Sequence, residues 1–231
     1  MSRPSFSKEI AYGNSLNLEK RTNVAETWKE FETPFQGYPV GAELFQQGSE
    51  PEEVFCIDSG IVKLIHLESD GQELIVDLRF PEWLVGAAAV IIEAPYAVTA
   101  VTVTQCRLRR TPANVFRYLL KNDIDFSWRV HRMHSHKVNE QVNRISQLAC
   151  LSARHRIEYF VVQLLSAVGI NSQQKNITVP LLLKNSDIAA LVAVTPEYFS
   201  RMLKQMQAED LMSIRKGQLN IPDPQKLWRP A

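Results

Sequence analysis

Glu197, Ser200 and Arg201 fall within little more than one turn of a predicted helix, and their types suit the edges of DNA bases. Arginine carries a planar fork of donors that matches guanine O6 and N7 in the major groove. Glu197, four residues earlier on the same face, can accept from a cytosine amino group and can orient Arg201. Ser200 is short enough to approach a base edge or a thymine methyl. Lys184, Lys204, Arg215 and Lys216 suit phosphates. The same Glu197–Arg201 spacing also makes an ordinary surface ion pair worth ~0.2–0.5 kcal/mol. The surrounding elements must therefore decide between the two.

Those elements read "LKNSDIAALVAVTPEYFSRMLKQMQAEDLM" over 183–212. Asn185 or Ser186 can cap a short helix, Asp187–Val192, and Ala193-Val194 makes a turn. Thr195 is a good N-cap, Pro196 fits the first helical position, and Glu197 suits the first turn. The second helix buries Phe199, Met202, Leu203 and Met206 and leaves Glu197, Ser200, Arg201 and Lys204 outward. A short helix, a tight turn and a longer helix form a helix-turn-helix. "LMSIRKGQLNI" follows as a β-hairpin wing with Arg215 and Lys216 at its tip. The cap, the wing and the local charge favour DNA over a plain helical hairpin.

Upstream, the texture is β-rich. Val54–Ile57, Ile61–Leu67 and Glu73–Leu78 are apolar runs, and Asp70-Gly71 between the last two is a strong hairpin signal. Glycines at 41, 48, 60 and 86 punctuate a small antiparallel barrel or roll, with Val98–Arg109 as its closing strand. From Ala113 to Leu151 neither glycine nor proline occurs. Ile124, Ser127, Val130, His134, Val138, Gln141, Ile145 and Leu148 recur at steps of three and four, one stripe of a long helix. A helix over 125–150 spans about 38 Å, more than a small domain. Its stripe needs a partner, either a second copy of the chain or its own roll. Ser152 can cap a following helix that Gly169 stops. The expected divisions are a polar arm at 1–30 with a short helix near Val24–Phe31, a roll at 31–112, the long helix at 113–151 and the DNA-type domain at 152–231.

The balance of charge agrees. Net charge is only +1 over 231 residues, but residues 152–231 hold 10 Lys+Arg against 6 Asp+Glu, whereas 1–151 hold 16 against 19. A basic back half is the part expected to meet a polyanion. No apolar run reaches the roughly 18–20 residues of a membrane span, and the N-terminus lacks an apolar signal segment. Cys56, Cys106 and Cys150 form no CxxC pair and read as reduced thiols, so a cytoplasmic location is expected. No nucleophile elbow, P-loop, Rossmann glycine pattern or HExxH motif is visible, and Glu52-Glu53 lies in a predicted, solvated turn. An enzyme is not expected, nor is a cofactor or a bound metal.

The order of parts resembles the cAMP receptor protein and fumarate–nitrate regulator (Crp/Fnr) family of bacterial transcription regulators. "FQQGSEPEEVFCIDSGIVKLI", "DGQELIVDL" and the helix-turn-helix carry the resemblance, over about residues 31–222. It implies an α+β chain: a cyclic-nucleotide-binding-like β-roll (a double-stranded β-helix or jelly roll), a long dimerisation helix and a winged helix-turn-helix. It also implies a homodimer, a palindromic site on double-stranded DNA and RNA polymerase as a partner. Glu197, Ser200 and Arg201 fall on the family's ExxSR signature. The fumarate–nitrate branch has this form and favours TTGA-type half-sites. Pro196 stands where the cAMP receptor protein has a further arginine, and Ala193 where many members have a turn glycine.

In cAMP-binding relatives a Gly-Glu start holds the ribose, and an Arg-Ser about ten residues later holds the cyclic phosphate. "GAAAVIIEAPYAVTA" aligns with that cassette without a gap. Gly86 keeps the glycine, Ala87 replaces the glutamate, and Ala97-Val98 replaces Arg-Ser. Gln141 remains on the long helix, but Val142 replaces its hydroxyl-bearing neighbour. Burying a cyclic phosphate against Ala and Val with no cation is costly, so tight cAMP or cGMP binding is not expected. An unidentified small, apolar effector, or a pocket filled by its own side chains, remains. No cysteine cluster precedes residue 56, and His66 is a bare candidate for a haem ligand. His131 and His134 share a helix face at i, i+3, but His136 points elsewhere, and a dimer-helix surface explains the run better than a metal. In a dimer seam His134 would tune assembly with pH. The alternative function is a cyclic-nucleotide or other small-molecule sensor that does not bind DNA.

Overall fold

The computed structural model describes residues 34–167, 170, 173–181 and 183–227. The expected arm and its helix near Val24–Phe31 lie outside the described residues, as does the Gly169 stop. Strand β3 (Glu53–Ser59) explains the architecture best, because both its faces are buried. Val54 and Cys56 face one side, and Phe55 and Ile57 face the other. Such a strand must sit between two packed layers.

One layer is the sheet β1 (Phe35–Tyr38), β8 (Cys106–Pro112), β3 and β6 (Leu84–Val85), in that spatial order. It faces a second sheet, ordered β2 (Glu43–Phe45), β7 (Thr99–Thr102), β4 (Val62–Leu67) and β5 (Glu73–Arg79). Phe55, Ile57, Leu108, Val62, Leu64 and Ala100 fill the space between them. The Asp70-Gly71 hairpin pairs β4 with β5 as expected. The expected single strand Val98–Arg109 is two strands. β7 pairs in one sheet and β8 in the other, so the chain turns a corner at 103–105, where Thr104 Oγ1 accepts from Ile61 N–H. Changing sheets requires such a break. Glu53 lies in no solvated turn: it opens β3 and pairs with Arg110 at 3.0 Å.

Outside the first sheet pack α1 (Ala87–Ile92), α2 (Ala113–Asn122) and the start of α3 (Ile124–Cys150). The expected continuous helix from 113 to 151 is therefore broken. Asp123 is extended and its carboxylate accepts from Phe126 N–H, which caps α3. Phe116 and Phe126 meet edge to face across the break, with centroids 5.6 Å apart.

Ser152 accepts from His155 N–H at the start of α4 (Ala153–Ala167). The C-terminal domain adds β9 (Ile177–Pro180), α5 (Asn185–Leu191), α6 (Pro196–Ala208), β10 (Ser213–Arg215), β11 (Gln218–Ile221) and α7 (Pro224–Leu227). Its core gathers Ile157, Val161, Ile188, Phe199, Met206 and Leu219, and Leu78 of β5 joins it from the roll. Helix α5 starts at Asn185, two residues earlier than expected. Lys184 is its N-cap and makes no side-chain hydrogen bond, so neither Asn185 nor Ser186 caps it. Arg154 ties α4 to the end of α6, bonding Glu158 at 2.9 Å and both oxygens of Glu209. Among the described residues no helix is long and apolar enough to cross a membrane.

Two consequences are measurable. Ala193 holds φ +53 in the turn between α5 and α6. The left-handed region costs an L-residue ~1–2 kcal/mol, and glycine's extra chain entropy returns ~0.5–1 of that. Ala193→Gly should raise unfolding stability by about 0.5–1 kcal/mol in a denaturant titration. The Arg154 guanidinium holds the Glu209 carboxyl down from its ordinary 4.5 to about 2. A depressed carboxylate contributes stability above 4.5 that is lost as pH falls toward 2. Glu209→Gln should therefore flatten the acid limb of the stability curve in that window and leave its shape near neutrality unchanged.

Candidate nucleic-acid interface and ligand cavity

Helix α6 begins as its sequence requires. Thr195 Oγ1 accepts from Tyr198 N–H at 3.2 Å and Pro196 occupies the first position. Phe199 and Met206 anchor the inner face. Thr195, Glu197, Ser200, Arg201 and Lys204 are all exposed, and the last four lie along one stripe of the helix. Each is free of the protein core, but not every expected contact forms. No Glu197–Arg201 ion pair closes. The Arg201 guanidinium lies instead over the Tyr198 ring, 5.7 Å from its centroid, where the ring face attracts a cation. Hydrogen bonds from its own backbone N–H and the Thr195 hydroxyl, then the more distant charge of Arg201, hold the Glu197 carboxyl below its ordinary range. It is an acceptor at any neutral pH. Ser200 donates back to the Pro196 carbonyl at 2.8 Å, which leaves its oxygen free to accept.

The wing forms where expected. Lys216 and Gly217 both have positive φ, +50 and +72, the turn that suits a two-residue hairpin between β10 and β11. Arg215 and Lys216 are exposed at its tip, and Lys184 is exposed before α5.

Two arginines that the sequence did not single out fix this domain. Arg156 of α4 donates to the carbonyls of Val192, Leu151 and Ala193 at 2.8, 3.0 and 3.0 Å. Arg144 of α3 donates to the carbonyls of Leu191 and, across in the roll, Val76. Both cap the C-terminal end of α5, where carbonyls are otherwise orphaned and cations are favoured. Lys63 of β4 adds an ion pair to Asp187 of α5 at 3.7 Å. Their only sequence signal was position in a helix, which says nothing about a carbonyl partner 36 to 68 residues away.

The apolar face that α3 leaves bare is rotated from the expected stripe. Val130 is 2% exposed and packs with Phe126 and Met133 inside its own roll. His134 and Gln141 are half-buried on that side, so these three do not form an outer seam. The bare apolar face runs through Ile124, Trp128, Val138, Val142 and Ile145, with Val142 58% and Ile145 66% exposed. Leu148 is exposed at its flank. His134 therefore does not lie on the bare face. Burial, then the charges of Arg79 and His131, push its pKa down. His131 and His136 are exposed, and among the described residues no His/Cys/Asp/Glu group could hold a metal. His66 Nδ1 contacts the Ala97 carbonyl at 3.2 Å.

The cassette forms α1 and its flanks. Gly86 has φ +87, and a Cβ there would lie 3.0 Å from the Glu53 carbonyl oxygen and from the Tyr96 ring. Tyr96 in turn stacks on Phe45 with centroids 3.8 Å apart. A cavity of about 210 Å³ lies behind, lined by Gly86, Ala87, Ala97 and Val98 together with Trp83, Arg79, His134 and Lys137. Gln141 and Val142 lie outside it: Gln141 lines a second groove, between α3, α4 and α5. The expectation of a cavity without a cation is thus corrected. Two reach it from β5 and α3, elements far from the cassette in sequence.

Two family models match the chain: the cyclic nucleotide-binding domain over residues 35–123 and the Crp-like helix-turn-helix domain over 155–229. The transcriptional activator protein Anr of Pseudomonas protegens is 24% identical over 218 residues, 92% of this chain and 85% of its own. A CRP-like cAMP-activated global transcriptional regulator of Mycobacterium tuberculosis is 21% identical over 194 residues, 84% and 86% of the two chains. Among solved structures, the c-di-GMP-responsive regulator CLP of Xanthomonas campestris superposes with TM-score 0.72 at 22% identity, covering 86% of this chain and 99% of its own. FixK2 of Bradyrhizobium japonicum superposes with TM-score 0.73 at 17% identity, covering 85% and 98%. A nucleotide-binding-type roll, a long helix and a winged helix-turn-helix in this order make the chain a member of the Crp/Fnr family of DNA-binding transcription regulators.

Proposed function

We propose that this regulator binds a palindromic site of TTGA-like half-sites as a homodimer, and that its cavity holds no cyclic nucleotide. The observation that carries the reading is the outer stripe of α6: Glu197, Ser200, Arg201 and Lys204 exposed together on a helix with a sound N-cap and a buried inner face. Arg201 and Glu197 read bases, Ser200 approaches a base edge, and Thr195, Lys184, Lys204, Arg215 and Lys216 position the duplex through phosphates. Pro196 supplies no further base contact.

The bare face of α3 supports the dimer. Positions 124, 128, 131, 135, 138, 142, 145 and 149 alternate steps of four and three, the spacing of a two-helix seam. Pairing this face with its copy sets two recognition helices about 34 Å apart, one DNA turn. RNA polymerase is the partner expected of the family. The working assignment gives sensing to 31–112, pairing to the helical segment 113–151 and DNA binding to 152–231. Against a cyclic nucleotide stand Ala87 and Ala97-Val98, and a cavity below the ~300–1,000 Å³ of drug-sized ligand sites.

Selection from random-sequence DNA should enrich a two-fold site with half-sites one turn apart. Arg201→Ala should erase the preference at the contacted pair, at about 1–3 kcal/mol per half-site. Lys216→Ala should weaken all sequences alike and lower the salt slope by about 1 per half-site. Equal loss of preference in both variants would contradict these roles. Sedimentation should give a dimer at micromolar concentration for the native chain and a monomer for Ile145→Asp; an unchanged dimer would remove α3 as the seam.

A further inference from the structure

Thr195-Pro196-Glu197-Tyr198 opens α6 with a threonine cap. At the third helical position, where a glutamate commonly completes a capping box, stands a tyrosine. Glu197 comes one residue earlier, and its carboxylate is drawn back to the cap by its own N–H and the Thr195 hydroxyl. Tyr198 is fixed at the same cap, because its N–H donates to Thr195 Oγ1 at 3.2 Å. Its ring is half-buried, and among the described residues its hydroxyl makes no hydrogen bond.

Arg201 lies one turn further on, at i+3 from Tyr198 and i+4 from Glu197. Both spacings bring side chains together on a helix. The guanidinium takes the ring and not the carboxylate. Its central carbon lies 5.7 Å from the Tyr198 centroid, and among the described residues it makes no hydrogen bond or ion pair. The two choices differ in what they leave for a base. An ion pair with Glu197 would occupy donors of the guanidinium and acceptor oxygens of the carboxylate, and the pair would have to part before either met a base edge. Stacking uses the π face of the guanidinium and leaves its in-plane donors open. It also restricts a long side chain before DNA arrives, so less rotamer freedom is lost on binding.

We infer that Tyr198 is a positioning residue for base reading: its ring holds the Arg201 guanidinium apart from Glu197, with the donor fork of one and the acceptor oxygens of the other unspent. This role rests on the reading that Arg201 contacts a base pair. Titrations of the full chain with the selected two-fold duplex and with random-sequence duplex measure it. Tyr198→Leu, checked for its fold by circular dichroism, keeps an apolar side chain without the π face. It should weaken the selected duplex about threefold per half-site, about tenfold over the two-fold site. Its affinity for random-sequence duplex and its salt slope should match the native chain, because no phosphate contact is lost. Tyr198→Phe retains the ring and should bind the selected duplex as the native chain does. In an Arg201→Ala background Tyr198→Leu should change nothing further.

Native affinity in Tyr198→Leu, a loss in Tyr198→Phe equal to that in Tyr198→Leu, or the same loss persisting in the Arg201→Ala background each overturn the inference. The last of these is what mere support of α6 would give. In the free native chain the ring should shift the Arg201 side-chain protons upfield in NMR spectra. Protons at their random-coil positions overturn the inference even where no variant folds. Native sequence preference in Arg201→Ala would instead overturn the reading on which this role rests, and the role with it. Preference lost in Arg201→Ala beside an unaffected Tyr198→Leu overturns this inference alone.

Discussion

Helix α3 has more length than the roll can cover. It runs 27 residues, about 40 Å, yet its buried residues stop at Met133. The first ten residues are fixed by Phe126, Val130 and Met133 in the roll. The rest leave the roll with one face bare and the other bearing polar side chains that reach sideways. That mismatch organises the molecule. A bare apolar stripe is unfavourable in water at roughly 25 cal/mol per Å², so it is where a partner gains most. The sideways reach is where the two domains are joined.

The junction is polar because it ends a helix. The carbonyls of Leu191, Val192 and Ala193 close α5 and would otherwise lack donors. Arg144 and Arg156 answer them from α3 and α4, and Arg144 also grips the Val76 carbonyl of β5. Two residues along β5, Leu78 sits in the core of the DNA-binding domain. The next residue, Arg79, faces the cavity. One strand thus touches the cavity and the helix-turn-helix domain within four residues, and α3 touches both through Lys137 and Arg144. A ligand shifts DNA affinity only as far as it binds one arrangement of this junction better than another. The side chains that would register the difference, Asp77, Arg79 and Lys137, are already linked through one carboxylate oxygen.

What could be read in the sequence was whatever local rules control. Thr195-Pro196 announced α6, Asp70-Gly71 the hairpin and Lys216-Gly217 the wing, because caps and turns act over a few residues. The phase of α3 was not readable. Steps of three and four link Ile124, Val138 and Ile145 equally well through Val130 and Gln141 or through Trp128 and Val142. Only the roll, by burying Val130, decides between them. The break at Asp123 hid for a similar reason: an aspartate cap interrupts a helix without glycine or proline. The cavity's cations were invisible from the cassette. Arg79 and Lys137 come from other elements, and an alignment of one segment cannot see what packs across from it.

Gly86 illustrates the difference between a retained residue and a retained function. It stands where nucleotide-binding relatives have their cassette glycine, but its reasons here are structural. Its φ is +87, and a side chain would press on the Glu53 carbonyl and the Phe45–Tyr96 stack. The fold demands that glycine whether or not any nucleotide binds. Ala87 is itself packed in the core beneath α2 and α3, whereas Ala97 and Val98 line the cavity under no such backbone demand. A site's chemistry is carried by the positions the fold leaves free. In this cavity they are small and apolar on one side, with Arg79, His134 and Lys137 on the other, so polarity has moved from the cassette to β5 and α3.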